Sequence, residues 1–288
     1  MRRYKDTIYY DDLISDDFGA TNFDFNELPK NYKYITSNIF SSFIDFVLYR
    51  IIARPIAYLY NKIKFHQHIY GKLKLLKVRG GYFIYSNHTA YGLDAFTPNI
   101  ISLFKKNYIV VGKDTASLTK LLPLLRSLGA IPLSDKYSDM IKCIETINKR
   151  SKFNSITIYP EAHIWPYYND IRPFDSISFK YPAKLNKPIF CLTNCYQKRL
   201  IGKRPKVKTF IDGPYYPKED LSVRDNAIYL RNIAYNKMKE RCQQYSTFEY
   251  FNYVKKDESK WFFFGAKILW LIVKLKINIK TKTASDYN

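Results

Sequence analysis

Tyr82-Phe83-Ile84-Tyr85-Ser86-Asn87-His88-Thr89-Ala90-Tyr91-Gly92-Leu93-Asp94 carries the clearest architectural signal in the chain. Residues 82–86 form an apolar run too short for a helix, which reads as a buried strand. A polar turn follows, and a helical pattern starts near residue 93 and runs to about 104. The same change of character recurs down the chain. Strand-like runs at 108–111, 130–133, 155–159, 188–193 and 207–211 alternate with helical stretches at 118–128, 140–149 and 221–244. Short apolar runs separated by helices predict an α/β fold, with a mainly parallel or mixed sheet flanked by helices. In such a fold, the loops that carry chemistry gather at the carboxyl ends of the strands.

His88 stands at one of those ends. A carboxylate a few residues on, Asp94, can hydrogen-bond one imidazole nitrogen and fix the tautomer. The other nitrogen is then free to take a proton from an alcohol. The run Tyr159-Pro160-Glu161-Ala162-His163 places a second carboxylate at another strand tip, where Glu161 is expected to hold a substrate hydroxyl near His88. Gly112-Lys113 and the segment from Arg126 to Leu133 add cations suited to a phosphate. His66 and His68 lie in a polar stretch with no carboxylate close by in sequence and read as surface residues.

In order and spacing, these blocks resemble the glycerophospholipid acyltransferases, whose best-known members acylate 1-acyl-glycerol-3-phosphate. The family's first block is Asn-His, four residues, then Asp, and Asn87-His88 with Asp94 is similar to it. Gly112-Lys113 with Gly129-Ala130-Ile131 resembles the second block, and Tyr159-Pro160-Glu161-Ala162-His163-Ile164 stands where the family has Phe-Pro-Glu-Gly-Thr-Arg. Lys187-Pro188-Ile189-Phe190 is similar to the fourth, and the resemblance extends over about residues 76–216. It implies a glycerol-3-phosphate acyltransferase-like fold and O-acyl transfer. In that scheme His88 is the base, Asp94 orients it, Glu161 binds the acceptor, and strand-end N–H groups stabilise the oxyanion. No metal or cofactor is implied.

The departures are specific. Five residues, not four, separate His88 from Asp94, and Gly92 is expected to absorb the extra one through a bulge or a positive φ. Ser134-Asp135 occupies the place of the second-block arginine, and Ile164 replaces the third-block arginine. The resemblance ties both arginines to acceptor phosphate. Lys113, Arg126 and Arg172 are the candidate substitutes, and the alternative is an acceptor without phosphate there.

Forty-seven Lys and Arg against 25 Asp and Glu give a formal net charge of +22, which predicts anionic partners. Acyl-carrier protein or acyl-CoA as donor, a lipid acceptor and an anionic membrane surface all satisfy that charge, and no nucleic acid is expected. The four cysteines form no CxxC pair, which argues against zinc, and are expected to be reduced thiols. The basic start MRRYKDT leads into no apolar h-region, so a secretory signal is not expected and the reading is of a protein peripheral to the cytoplasmic face of a membrane. Residues 39–59 and 261–277 are apolar but interrupted by Asp45, Arg50 and Arg54 and by Lys267, Lys274 and Lys276. Both read as helices lying in a membrane interface, with their basic side chains reaching for headgroups. Four regions are expected: an irregular arm (1–35), a membrane-associating helical segment (36–75), an acyltransferase domain (76–247) and a basic apolar tail (248–288).

The leading expectation is therefore transfer of a fatty acyl group from a thioester to a hydroxyl of a lysophospholipid or related glycerolipid. A glycan or other non-phosphorylated alcohol is the alternative acceptor. A non-catalytic basic protein that binds membrane or nucleic acid is the rival class. It explains the charge but not the order of His88, Asp94 and Glu161.

Overall fold

Every residue of β3 (Tyr82–Ser86) is buried, as a strand covered on both faces requires. The computed structural model describes residues 5–19, 27–30, 32–35, 38–113 and 118–256. Side chains alternate along β3. Phe83 and Tyr85 join the larger core, while Tyr82 and Ile84 join a second core on the opposite face. The larger core takes in Cys143 and Ile147 of α5 (Tyr137–Arg150), Ala183 of α6 (Lys180–Leu185), and Leu230, Ala234 and Met238 of α7 (Val223–Tyr245). The second core takes in Leu75 and Val78 from the chain before β3, and Ile101 at the end of α3 (Tyr91–Ile101). The result is an α/β fold with helices on both faces of a mixed sheet.

Seven strands make that sheet. The others are β2 (His68–Tyr70), β4 (Asn107–Val111), β5 (Ala130–Pro132), β6 (Ser155–Ile158), β7 (Ile189–Gln197) and β8 (Lys206–Tyr215), and the order is β2-β8-β7-β3-β6-β4-β5. The five strands from β7 to β5 are parallel, whereas β8 runs antiparallel to β7 and β2 parallel to β8. β3 therefore lies between β7 and β6, and neither neighbour is the next strand along the chain. This order brings the carboxyl end of β6 beside that of β3.

Three readings of the flanks change. The arm expected to be irregular contains β1 (Thr7–Tyr10), which pairs in parallel with β9 (Asn252–Lys255) from the region read as tail. A strand pair closed by most of the chain has no local signature, so neither partner is visible alone. The arm also grips the loop after β6. Trp165 Nε1 donates to Asp16 O at 2.7 Å, Phe18 N to Ile164 O at 3.2 Å, and the Trp165 ring stacks on Tyr253. β2 emerges from the polar, basic stretch before β3, and His66 and His68 are both exposed, as expected.

The apolar segment at 39–59 is helical: α1 (Ile39–Phe46), wider π-helical turns (Val47–Ala53) and α2 (Arg54–Phe65) follow one another directly. Phe40, Phe43, Ile51, Ile52, Ile56 and Leu59 are exposed along it. Arg50 and Arg54 do not reach outward for headgroups. Arg50 Nη1 donates to Leu103 O at 2.8 Å, and Arg54 donates to Leu103 O at 3.0 Å and Ile100 O at 3.4 Å. These two cations cap the carbonyls at the end of α3, where the helix dipole favours positive charge. Among the described residues, no helix is long and apolar enough to cross a membrane. The segment at 261–277 lies outside the described residues.

Lys106, just before β4, has its ammonium against the core. It donates to Ser127 O at 2.7 Å and lies 5.1 Å from the Tyr49 ring centroid, and burial pushes its pKa down to about 8. An unfolded lysine titrates near ~10.4, so between the two values the unfolded chain holds the extra proton and stability rises with pH. Below that window the whole penalty is present. Thermal melts of Lys106→Met and the parent at about pH 7 and about pH 9.5 should show the parent gaining on the variant at the higher pH. An identical pH response in the two proteins would remove Lys106 as the cause.

Candidate active site

β3 ends at Ser86, and Asn87 then closes the turn across to β7. Its Oδ1 accepts from Asn194 N at 2.9 Å, and its Nδ2 donates to Asn194 O at 3.0 Å. This exchange aims the next residue, His88, off the sheet edge. α3 starts at Tyr91, and Asp94 in its first turn folds back over the helix N-terminus. One oxygen, Asp94 Oδ2, meets His88 Nδ1 at 2.9 Å and accepts from the N–H groups of Thr89 and Ala90 at 2.8 Å each. The other, Oδ1, accepts from Asn194 Nδ2 at 3.2 Å. The extra residue between His88 and Asp94 is taken up in this helical turn. Gly92 is helical and has no positive φ, contrary to the expected bulge. Its lack of a Cβ serves Tyr60 of α2, whose ring would come within 2.6 Å of one.

The His88 side chain is 19% exposed and Asp94's is 1% exposed, so only the imidazole reaches the surface. Tyr159 stacks on the imidazole at 4.4 Å between centroids, and its hydroxyl donates to Asp94 O. Among the described residues, no hydrogen-bond partner meets His88 Nε2. Burial pushes the Asp94 carboxyl up, while the His88 hydrogen bond and the Thr89 and Ala90 N–H groups pull it back. Burial wins, so the carboxyl lies above its ordinary range, and the donors around it at the helix N-terminus limit the rise and favour the charged form that would stabilise an imidazolium beside it.

Glu161 comes to His88 from the end of β6, but it does different work from that expected. Its Oε2 accepts from His88 N at 3.0 Å and its Oε1 from Arg172 N at 3.0 Å, and the side chain is 1% exposed. Glu161 therefore ties two loops together rather than presenting a free oxygen to an acceptor. The neighbouring Ala162 carries a left-handed φ of 61° at the position where the resembling family has glycine. The loop is pinned again by Trp165 N donating to His88 O at 3.1 Å and Tyr167 N to Thr89 O at 2.8 Å. The N–H groups of His88, Thr89 and Ala90 are thus all spent on carboxylates, and none of the three is left as the strand-end oxyanion donor that the resemblance implies.

The three candidate phosphate cations part company. Arg172 is fully enclosed: it donates to Glu161 O and Leu13 O at 3.2 Å each and to His163 O, with Glu161 Oε2 at 3.6 Å. It neutralises Glu161 and faces away from solvent. Arg126 belongs to α4 (Leu122–Ser127), ahead of β5, and so lies at the amino edge of the parallel strands, across the sheet from His88; its Nη1 donates to Lys33 O. Lys113 follows β4 at the same edge as His88, but β6 separates that strand from β3, and its Nζ pairs with Asp135 at 2.8 Å.

The residues behind Asp94 have no signal in the sequence. Asn194 Oδ1 accepts from Thr209 at 2.8 Å, Thr209 from Gln67 at 2.7 Å, and Gln67 and Asn61 both reach Thr97. This buried chain connects the carboxylate to α2, and nothing in the local sequence around Asn194 or Gln67 marks it.

No family model and no characterised protein matches the chain by sequence. Among solved structures, the chain is similar to the 1-acyl-sn-glycerophosphate acyltransferase PlsC from Thermotoga maritima. The identity is 17% and the TM-score 0.48, over 70% of this chain and 86% of that one.

Proposed function

We propose that the protein is an O-acyltransferase that moves a fatty acyl group from a thioester to a hydroxyl at a membrane surface. One observation carries the proposal: a partly exposed imidazole at the carboxyl edge of the sheet, bonded through Nδ1 to a buried carboxylate and, among the described residues, without a hydrogen-bond partner at Nε2. That is the arrangement of a general base with its orienting group and no nucleophile of its own, so the substrate must bring the hydroxyl. His88 Nε2 takes the hydroxyl proton as the oxygen attacks the thioester carbonyl. The tetrahedral intermediate collapses, the carbon–sulfur bond breaks, and the thiolate leaves with the proton from the imidazolium. Asp94 keeps the remaining proton on Nδ1 and balances the imidazolium charge. Tyr159 holds the ring plane.

The donor is acyl-carrier protein or acyl-CoA, both anionic and matched to the charge of +22. The acceptor is a lysophospholipid or related glycerolipid, reached from the cytoplasmic face by peripheral association. The exposed apolar face of α1 and α2 supports that placement.

The test is thioester consumption by the purified protein with each donor, against a panel of lysophosphatidate, uncharged lysolipids and glycans, with products weighed by mass spectrometry. Consumption should require a lipid acceptor. Lysophosphatidate should have no advantage over uncharged lysolipids, because Arg126 and Arg172 are turned away from His88. No acyl transfer to any acceptor would overturn the proposal. A strong lysophosphatidate preference lost in Lys113→Ala would show that Lys113 restores the phosphate contact.

A further inference from the structure

The hairpin joining β7 to β8 reads Lys198-Arg199-Leu200-Ile201-Gly202-Lys203-Arg204-Pro205, with basic residues and no carboxylate around two adjacent aliphatic ones. Turns between strands are ordinarily built from Gly, Pro, Asn, Asp and Ser, which water solvates readily. Here Leu200 is 106% exposed and Ile201 89% exposed. Gly202, at a φ of 96° and with nothing within 4 Å of where a Cβ would stand, turns the chain directly after them. Removing such aliphatic side chains from water is favourable, yet no part of the described protein covers them.

The position of this hairpin gives it a partner. β7 is parallel to β3, so its end at Gln197 lies on the same edge of the sheet as His88. Arg199 donates to Lys64 O at the last turn of α2 and to Pro205 O at 3.1 Å, which anchors the tip to the helix that exposes Ile56, Leu59 and Ile63. Tyr167, whose phenol burial pushes up with Arg204 and Arg199 only partly offsetting it, has its N bonded to Thr89 O beside His88. Arg199 thus ties the hairpin to the end of α2, and the hairpin leaves the sheet at the edge that carries His88.

We propose that the β7–β8 hairpin is a membrane-insertion loop, Leu200 and Ile201 entering an anionic bilayer while Lys198, Lys203 and Arg204 contact its phosphates. This rests on the membrane-surface part of the proposed function and is independent of the acyl-transfer chemistry. Aliphatic residues at the tip favour the acyl boundary, and long basic side chains on either side reach back to headgroups. Nucleic acid would use the charge but leave the two aliphatic residues in water.

The experiment labels Ile201→Cys with an environment-sensitive fluorophore; the four native cysteines are buried and leave the new thiol as the reactive one. With phosphatidylglycerol vesicles, the emission should rise, shift to the blue and become shielded from an aqueous quencher. With phosphatidylcholine vesicles, the change should be much smaller. Leu200→Ser with Ile201→Ser should weaken binding to phosphatidylglycerol vesicles about tenfold, and Lys203→Glu should weaken it further at low salt than at high salt. Unchanged emission while the protein sediments with the vesicles would overturn the hairpin's role but leave membrane binding intact. No sedimentation at all would overturn both. A response to a single-stranded oligonucleotide and none to vesicles would assign the tip to nucleic acid instead.

Discussion

Replacing His88 by alanine is expected to lower acyl transfer by ~10²–10⁴-fold, the usual contribution of a positioned general base. Folding should change little, because the imidazole is the partly exposed member of its pair and contributes one hydrogen bond and a stack on Tyr159. Asp94→Asn should cost less activity than His88→Ala, since the base survives with a poorer tautomer. It should cost more stability, for a reason that lies in the surrounding fold. Asp94 accepts from three donors on Oδ2 and one on Oδ1, and an amide has a single acceptor oxygen. At least one of those donors would be left facing an NH₂ group in a buried site. Single-turnover acyl transfer and thermal melting of the two variants separate these effects. Full activity in His88→Ala would end the general-base reading, whatever the protein then proves to bind.

The second large effect concerns stability. Glu161 and Arg172 are a buried pair in which burial pushes the carboxyl up and the guanidinium pKa down, each partly restored by the other. Removing one member of such a pair strands the other, at about 3–5 kcal/mol. Glu161→Gln keeps the shape but aims an NH₂ group at the N–H of either His88 or Arg172, and it leaves the Arg172 charge uncompensated. Denaturant unfolding should show a loss of that size. Glu161→Gln combined with Arg172→Met should recover much of it, because the stranded charge is then gone. If Glu161→Gln instead unfolds like the parent and loses only acceptor use, then Glu161 binds substrate as its place in the motif suggests, and the bonds to the His88 and Arg172 N–H groups contribute little.

The α/β class, the run of β3 and the pairing of His88 with Asp94 are all legible in the amino-acid order. Each is a local matter: an apolar run too short for a helix, a polar turn, and a carboxylate close enough along the chain to fold back on the imidazole. The pattern at 82–86 matches β3 to the residue, and the helical stretch at 221–244 matches α7 to within about two residues at each end. Burial patterns, and caps such as Ser222, whose Oγ accepts from Asp225 N, act over only a few positions. Even the placing of the additional residue before Asp94 is a local question, though helix geometry answers it rather than Gly92. What surrounds that pair is a different matter, because it depends on strand order. That order sets β6 beside β3, which makes Glu161 a brace, and it sends Arg126 to the far edge and Arg172 inward. It also brings Asn194, 100 residues away, to the second oxygen of Asp94. The same holds for β1 and β9, near opposite ends of the described chain. Contacts between segments so distant depend on which strands become neighbours, and that is settled by burying all the sheet's faces at once, a global condition no single window of sequence carries.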